Sequence, residues 1–447
     1  MFAFIPPVKK FYWLDNSEFR FDSQTLIFLD SNDYEFELNL FWKNIKEIIG
    51  KSFKICGQYR YKILNKDHLS YRPSIYFLKA TNPLAKKLLD AWEIKIKNDE
   101  GYAIIITKDF FLVSFNSKKG LFYAIQTIKQ IILMSHIRIV RGKKYLSIPT
   151  LVISDYPIFP FRAVHMTVFD TFNIKRLKEV IKIASELKFN VLILHIDNNL
   201  KYSSHPEISS PNALSKNQLR DIINFAKKRY FIVIPELNLL CKQERLLAPA
   251  YPRLIQHKLL QKSKRFLCYD PKKKEVYKIV FDLIEELLNL FHPEYFHIGH
   301  DECFGMHKYN PPISYRLFAK DINIITDFLF KKGVRTIIWS DMLKKEKNGG
   351  YKQMYKAIDF INKNVIIADW IYFPQKTYSS IIYFRKKGFE VIGATFKDER
   401  AIATFSSFMK KLVPKPLGMI ATTWYYFPWG KQEMLIELLE TSSINFW

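Results

Sequence analysis

The residue types that could do chemistry crowd into one short stretch, His297-Ile298-Gly299-His300-Asp301-Glu302. Asp301 and Glu302 are adjacent carboxylates, and successive residues of a strand point to opposite faces, so the two can share a pocket only where a strand gives way to a loop. Gly299 permits that departure. Two carboxylates confined together suit acid/base work, because repulsion and burial move one pKa away from the other. A solvated Asp-Glu pair at a loop start would do nothing of the kind. The flanking His297, His300 and Gly299 set this pair apart. The same histidines, with Asp301 and His307, also raise a metal site. However, His297 and His300 lie three apart on a strand and therefore face opposite ways. No metal is expected, and His297 reads as a core histidine beneath the site.

The elements that must position this stretch alternate. The pattern before it is an amphipathic helix over 274–291, then a breaker at His292-Pro293, then a short apolar strand over 295–299. From residue 161 the same alternation recurs. Strands are expected at 161–168, 190–195, 231–236, 295–299, 334–339, 365–370, 390–395 and 418–424. Helical patterns lie near 174–188, 215–229, 274–291, 313–332, 352–362, 376–387, 399–412 and 431–440. Eight of each predicts an α/β fold, a (β/α)8 barrel over 156–447, whose site sits at the C-terminal strand ends. Those ends carry His165 and Asp170, then His195 with Asp197 and Asn198, then Glu236 with Asn238, then Asp301 and Glu302. Later ends carry Trp339 with Asp341, Asp369 with Trp370 and Tyr372, Phe396 with Asp398, and Trp424 with Tyr425 and Tyr426. Polar groups converging among three tryptophans suit a sugar, whose C–H face stacks on an aromatic ring while its hydroxyls meet carboxylates and amides.

Residues 1–155 lack the regular alternation. A hairpin of 100–106 with 111–115 precedes an apolar-periodic helix that opens at Gly120, which predicts a smaller α+β domain. Of the 447 residues 48% are hydrophobic, enough for a substantial core, and there is no 18-residue apolar run to cross a membrane. The start Met1-Phe2-Ala3-Phe4-Ile5-Pro6-Pro7 has no basic n-region, so no cleaved signal peptide is expected. Cys56, Cys241, Cys268 and Cys303 show no paired or metal-ligand spacing, which fits reduced thiols in a cytoplasmic protein. The net charge of +26 is spread over many helices rather than gathered into a stripe, so it reads as a solvated lysine surface and not as a nucleic-acid footprint.

Three landmarks in order resemble glycoside hydrolase family 20, the β-N-acetylhexosaminidases. Glu100-Gly101-Tyr102 followed by Gly120-Leu121-Phe122-Tyr123-Ala124-Ile125-Gln126-Thr127 is similar to that family's non-catalytic N-terminal domain. Ile153-Ser154-Asp155-Tyr156-Pro157 through Arg162 resembles its entry into the barrel. His297-x-Gly299-x-Asp301-Glu302 is similar to its H-x-G-x-D-E signature. The resemblance implies a substrate-assisted retaining glycosidase, an exception to the two-carboxylate scheme. Asp301 would orient the sugar's 2-acetamido group, and Glu302 would be general acid and base. Arg162, His195, Asn198, Trp339, Asp341, Trp370, Tyr372 and Trp424 would bind substrate. The implied partner is a carbohydrate with a terminal N-acetylhexosamine. No cofactor, nucleic acid or membrane partner is expected, and no oligomeric state is implied.

The departures are specific. Asn198 and Lys242 stand where the family has an Asp–His pair behind the catalytic glutamate. No tyrosine stands near Phe396, and Tyr426 replaces a carboxylate after Trp424. Two other readings stay open: a sugar-binding barrel without turnover, and a retaining glycosidase for a different sugar.

Overall fold

The alternation read from the sequence closes on itself. In the computed structural model, which describes residues 3–49, 61–64, 69–140, 142–168, 173–255, 266–308, 314–424 and 432–447, eight parallel strands form a closed barrel. They are Phe161–Thr167, Val191–His195, Ile232–Leu239, Tyr295–Gly299, Arg335–Trp339, Ile366–Trp370, Glu390–Thr395 and Gly418–Thr422. Each pairs with the next, and the eighth pairs with the first. The interior is filled by every second residue, as the period of a strand requires. Phe161 and Ala163, Val191 and Ile193, Ile366 and Ala368, and Ile392 and Ala394 all belong to one buried cluster. At the closing seam Gly418 faces Phe161 so closely that a Cβ would fall 1.8 Å from the Phe161 carbonyl oxygen.

The helices between strands follow their apolar stripes. Lys216–Lys227 buries Leu219, Ile222, Ile223 and Ala226, and begins at a capping box in which Ser215 and Gln218 satisfy one another's backbone. The pattern over 352–362 does not become an α-helix. It forms 3-10 turns over Asn348–Asp359, broken where Lys352 and Gln353 take left-handed conformations.

The chain divides into two compact units. One holds 1–158 with 186–188 and Trp447, and the other holds 159–185 and 189–446. The first unit is a mixed sheet with helices Glu35–Ile49, Pro83–Ala91 and Lys118–Leu133. Its hairpin, Tyr102–Ile106 with Phe110–Phe115, is antiparallel and wholly buried. The helix beside it starts at Lys118 rather than Gly120, because the Ser117 hydroxyl accepts from the Lys119 and Gly120 amides.

Candidate active site

Asp301 and Glu302 follow the fourth barrel strand, and the backbone there is unusual. Gly299, His300 and Glu302 all have positive φ, +69°, +65° and +50°. A side chain at Gly299 would also meet Asn238 Oδ1 at 2.8 Å. Non-glycine residues held left-handed cost on the order of 1–3 kcal/mol each, so the surroundings must fix them. His300 does part of this: Nδ1 donates to the Ile298 carbonyl (2.9 Å), and Nε2 lies 2.9 Å from Asp321, which also accepts from the hydroxyls of Tyr269 and Tyr277.

The two carboxylates differ in setting. Asp301 is buried, with Oδ2 accepting from Lys242 Nζ at 2.5 Å, while its buried Oδ1 has no hydrogen-bond partner among the described residues. The Glu302 side chain is 39% exposed and its Oε2 lies 3.3 Å from the same ammonium. Burial opposes the charge of Lys242, but Asp301 and Glu302 outweigh it and hold the ammonium above its usual range. Asp341 braces the loop from behind. Its Oδ2 accepts from the Glu302 amide (2.9 Å) and Asn348 Nδ2 (2.7 Å), and Oδ1 from Trp370 Nε1 (3.4 Å). Burial, with the charge of Asp301, pushes the Asp341 carboxyl up to about 6.

Beneath them Glu236 is wholly buried. It accepts from Trp339 Nε1 (3.1 Å) and lies 2.7 Å from His165 Nε2. Burial works against its charge, yet the imidazoles around it, His297 and His165 first, hold its carboxyl below the ordinary range. The His297 and Trp339 rings lie tilted against each other with centroids 4.5 Å apart, and burial pushes the imidazole down to about 4. His165, His195 and Glu236 place three ligand-type atoms within 4.8 Å of one another. Each is already bonded to a neighbour, His165 Nε2 to Glu236 and His195 Nε2 to the Asp197 carboxylate (2.7 Å), so the set reads as a hydrogen-bonded floor. Burial opposes protonation of His195, but Asp197 and Glu236 outweigh it and raise its pKa.

The expected substrate residues separate into groups. His195, Asn198, Trp370, Tyr372 and Trp424 are half-buried and stand at strand ends with Glu302. The Trp370 and Tyr372 rings lie 5.2 Å apart, and Trp424 Nε1 donates to the Tyr372 hydroxyl at 2.9 Å. Thr422 Oγ1 lies 3.5 Å away but gives its one proton to the Thr395 carbonyl (2.7 Å), so the Tyr372 hydroxyl accepts from Trp424 and keeps its own proton for another acceptor. Trp339 and Asp341 are instead buried, at 1% and 0% exposure, and their polar atoms bond protein. They shape the floor and do not present a face.

Arg162 is not brought to the mouth. It is the second residue of its strand, at the opposite end of the barrel, with Nη1 donating to the Phe159 carbonyl (2.6 Å). Strand alternation also sets it on the face away from Phe161 and Ala163. Asp398 caps the helix Glu399–Lys411 by accepting from the Ala401 amide, and so serves that helix. Asp170, Tyr425 and Tyr426 lie outside the described residues.

Sequence reasoning missed the role of Asp197. Its Oδ1 accepts from the Asn238 amide (2.9 Å) and its Oδ2 bonds His195, which ties the second and third strand ends together. It also missed Asn348, whose side-chain amide donates to Asp341 Oδ2.

Residues 159–398, more than half of the chain, match the glycosyl hydrolase family 20 catalytic domain, and residues 3–156 match domain 2 of that family. A beta-hexosaminidase of Porphyromonas gingivalis is 26% identical over 228 residues, 46% of this chain and 29% of that protein. A beta-hexosaminidase subunit beta of Entamoeba histolytica is 23% identical over 264 residues, 55% of this chain and 44% of that protein. The matches thus span less than half the length of either relative. Among solved structures, a beta-N-acetylhexosaminidase from Bacteroides fragilis superposes with TM-score 0.73 at 17% identity, covering 100% of this chain and 91% of that one. A Vibrio harveyi exo beta-N-acetylglucosaminidase in complex with N-acetylglucosamine gives TM-score 0.73 at 15% identity, with 99% and 73% covered.

Proposed function

Because the chain belongs to glycosyl hydrolase family 20, we propose that it hydrolyses β-linked N-acetylhexosamine from a carbohydrate, with the sugar's own 2-acetamido group as nucleophile. The observation that carries this reading is the divided state of Asp301. One oxygen is held by Lys242, and the other is buried with no partner among the described residues. A buried acceptor left open is costly, and an amide N–H placed against it would relieve that cost.

In the reaction the acetamido carbonyl oxygen attacks C1 as the glycosidic C–O bond breaks. The Glu302 carboxyl gives its proton to the departing oxygen. Positive charge grows on the acetamido nitrogen, and Asp301 Oδ1 accepts from the N–H that carries it, an interaction strongest near the transition state. Glu302, now a carboxylate, takes a proton from the water that attacks C1, and the oxazolinium ring reopens. Lys242 holds Asp301 in place throughout. Trp370 and Trp424 supply ring faces for the sugar, and the Tyr372 hydroxyl proton is available to a sugar oxygen.

Aryl β-glycosides that differ only at C2 test the reading. Turnover of the 2-acetamido substrate alone, with competitive inhibition by a thiazoline mimic of the oxazolinium, is the expected result. Equal turnover of the 2-hydroxy compound would show a glycosidase for a different sugar. A second reading, a sugar-binding barrel without turnover, is favoured by one observation: Lys242, a cation, bonds both carboxylates where the family has a supporting histidine. Any hydrolysis that depends on Glu302 excludes it.

A further inference from the structure

Three cysteines gather behind the site, and the proposed reaction uses none of them. Cys241, Cys268 and Cys303 are all buried, at 1%, 0% and 0% exposure. Cys241 follows the third barrel strand and directly precedes Lys242; Cys303 directly follows Glu302. Around Cys241 the chain doubles back to meet the segment that carries Cys268. The Tyr269 amide donates to the Leu240 carbonyl (2.9 Å) and the Gln243 amide to the Leu267 carbonyl (2.9 Å). These two bonds bracket Cys241 and Cys268 and set them opposite each other, as in a pair of neighbouring antiparallel strands, where facing Cβ atoms lie roughly 4.5–5.5 Å apart. The Gln243 side chain fixes the turn further, donating to the Asn238 and Cys241 carbonyls. Leu240 and Lys242 on either side of Cys241 are both left-handed, which aims the thiol inward. The two sulfurs lie 2.7 Å apart. Even the smaller carbon atom keeps roughly 3.5–4.0 Å from a non-bonded neighbour.

We propose that Cys241 and Cys268 are a disulfide-forming pair, whose bond staples the segment after the third barrel strand and so fixes Lys242 on Asp301 and Glu302. The oxidant is a low-molecular-weight disulfide. The thiolate of one cysteine attacks it, forms a mixed disulfide and releases one small thiol. The second cysteine, losing its proton, then attacks the protein sulfur, closes the S–S bond and releases the other small thiol. Two electrons pass from the two cysteines to the small disulfide, and two protons leave with the two small thiols. Burial, with the neighbouring thiols of Cys268 and Cys303, raises the Cys241 pKa well above its usual value. A buried thiol of that kind is a poor nucleophile, so the bond forms while the segment is still exposed during folding and is then shielded from reductants. The proposal is independent of which sugar the barrel takes.

The test refolds the full chain in oxidised and reduced glutathione, alkylates it under denaturing conditions and maps its peptides by mass spectrometry. The expected result is one cross-linked peptide pair holding Cys241 and Cys268, lighter by two hydrogens and absent after reduction, with Cys56 and Cys303 alkylated. The oxidised protein should also melt higher than the reduced one by about 5 °C, the scale of closing a loop of this length. A Cys268→Ala variant should give no cross-link and the same melting temperature with or without reductant. Alkylation of all four cysteines after oxidative refolding overturns the proposal. So does a cross-link from Cys241 to Cys303, which would tie Lys242 to the wrong segment. Equal melting of the oxidised and reduced protein overturns the staple.

Discussion

Two lysine–aspartate pairs stand at the mouth of the barrel, and they differ in one respect that separates function from architecture. At the sixth strand, Asp369 accepts on Oδ1 from Lys344 Nζ (2.6 Å) and Ser340 Oγ (2.7 Å), and on Oδ2 from Ser380 Oγ (2.6 Å). Both members are buried, and the carboxylate is closed on all sides. At the fourth strand, Asp301 bonds Lys242 with one oxygen and leaves the other open among the described residues, and Lys242 is shared with the half-exposed Glu302. Closed, a buried pair fixes where two segments meet; open, the same pair is a socket. The contrast teaches that burial of a carboxylate does not mark a catalytic group. The role proposed for Asp301 rests instead on the acceptor it leaves open among the described residues.

The largest expected effect falls on the open pair's neighbour. Glu302→Gln should lower kcat by on the order of 10²–10⁴, the usual worth of positioned proton transfer. The loss should shrink for aryl substrates with good leaving groups, and an equal loss on good and poor ones would remove Glu302 from the acid role.

Next comes the closed pair. Lys344→Met leaves Asp369 buried with its charge uncompensated, which costs roughly 3–5 kcal/mol in denaturant unfolding. Turnover per folded molecule should hardly change. A variant that folds normally but loses activity would reverse the comparison.

Asp301→Asn is the mirror experiment. It keeps the shape, removes the charge, and should slow the reaction about 10²–10³-fold with weaker thiazoline binding, while the melting temperature moves little. A large loss of stability with unchanged kcat would make Asp301 a second closed pair.

Titration sharpens the picture further. The folded pKa of His297, about 4, lies below its ordinary 6.5. Between those values the unfolded chain binds the proton and the folded chain does not. Stability is therefore lost as pH falls from 6.5 through 4, by up to about 3 kcal/mol. His297→Gln should flatten that limb of the unfolding curve; an unchanged slope would assign it elsewhere.

Asp341 has the opposite sign. Its folded pKa, about 6, lies above the ordinary 3.8. The folded state keeps a proton that the unfolded state gives up, so stability falls as pH rises from 4 to 6. Asp341→Asn should raise the melting temperature by a few degrees at pH 7 relative to its effect at pH 4. No difference between the two pH values would argue against a raised pKa.

Much of this was legible in the sequence because strand and helix periods are local. Apolar runs of five residues between helical stripes announced the barrel, and the glycine before Asp301-Glu302 marked where the strand had to end. Placement of Arg162 failed because a matching motif does not say which face of a strand a residue takes, and that face is fixed by the register of Phe161 and Ala163 in the interior. Trp339 and Asp341 were read from strand-end position, Trp339 from the family resemblance as well, and neither signal can tell the floor of a mouth from its wall. The cysteine pairing was invisible for a related reason: Cys241 and Cys268 stand 27 positions apart in the chain, and only the backbone bonds between 240–243 and 267–269 bring them face to face.

The seam at Gly418 sets a timetable. Phe161 and Gly418 are 257 positions apart in the chain (418 − 161), and at roughly 5–20 residues per second a ribosome needs about 13–50 s to cover them. Through that interval the first barrel strand has its partner on one side only, and its other edge stays open to any passing chain. The final strand must then slide in against a carbonyl that tolerates no side chain. The nascent protein therefore depends longest on whatever guards that edge, and nascent chains stalled just short of Gly418 should be cross-linked to chaperones more strongly than released ones.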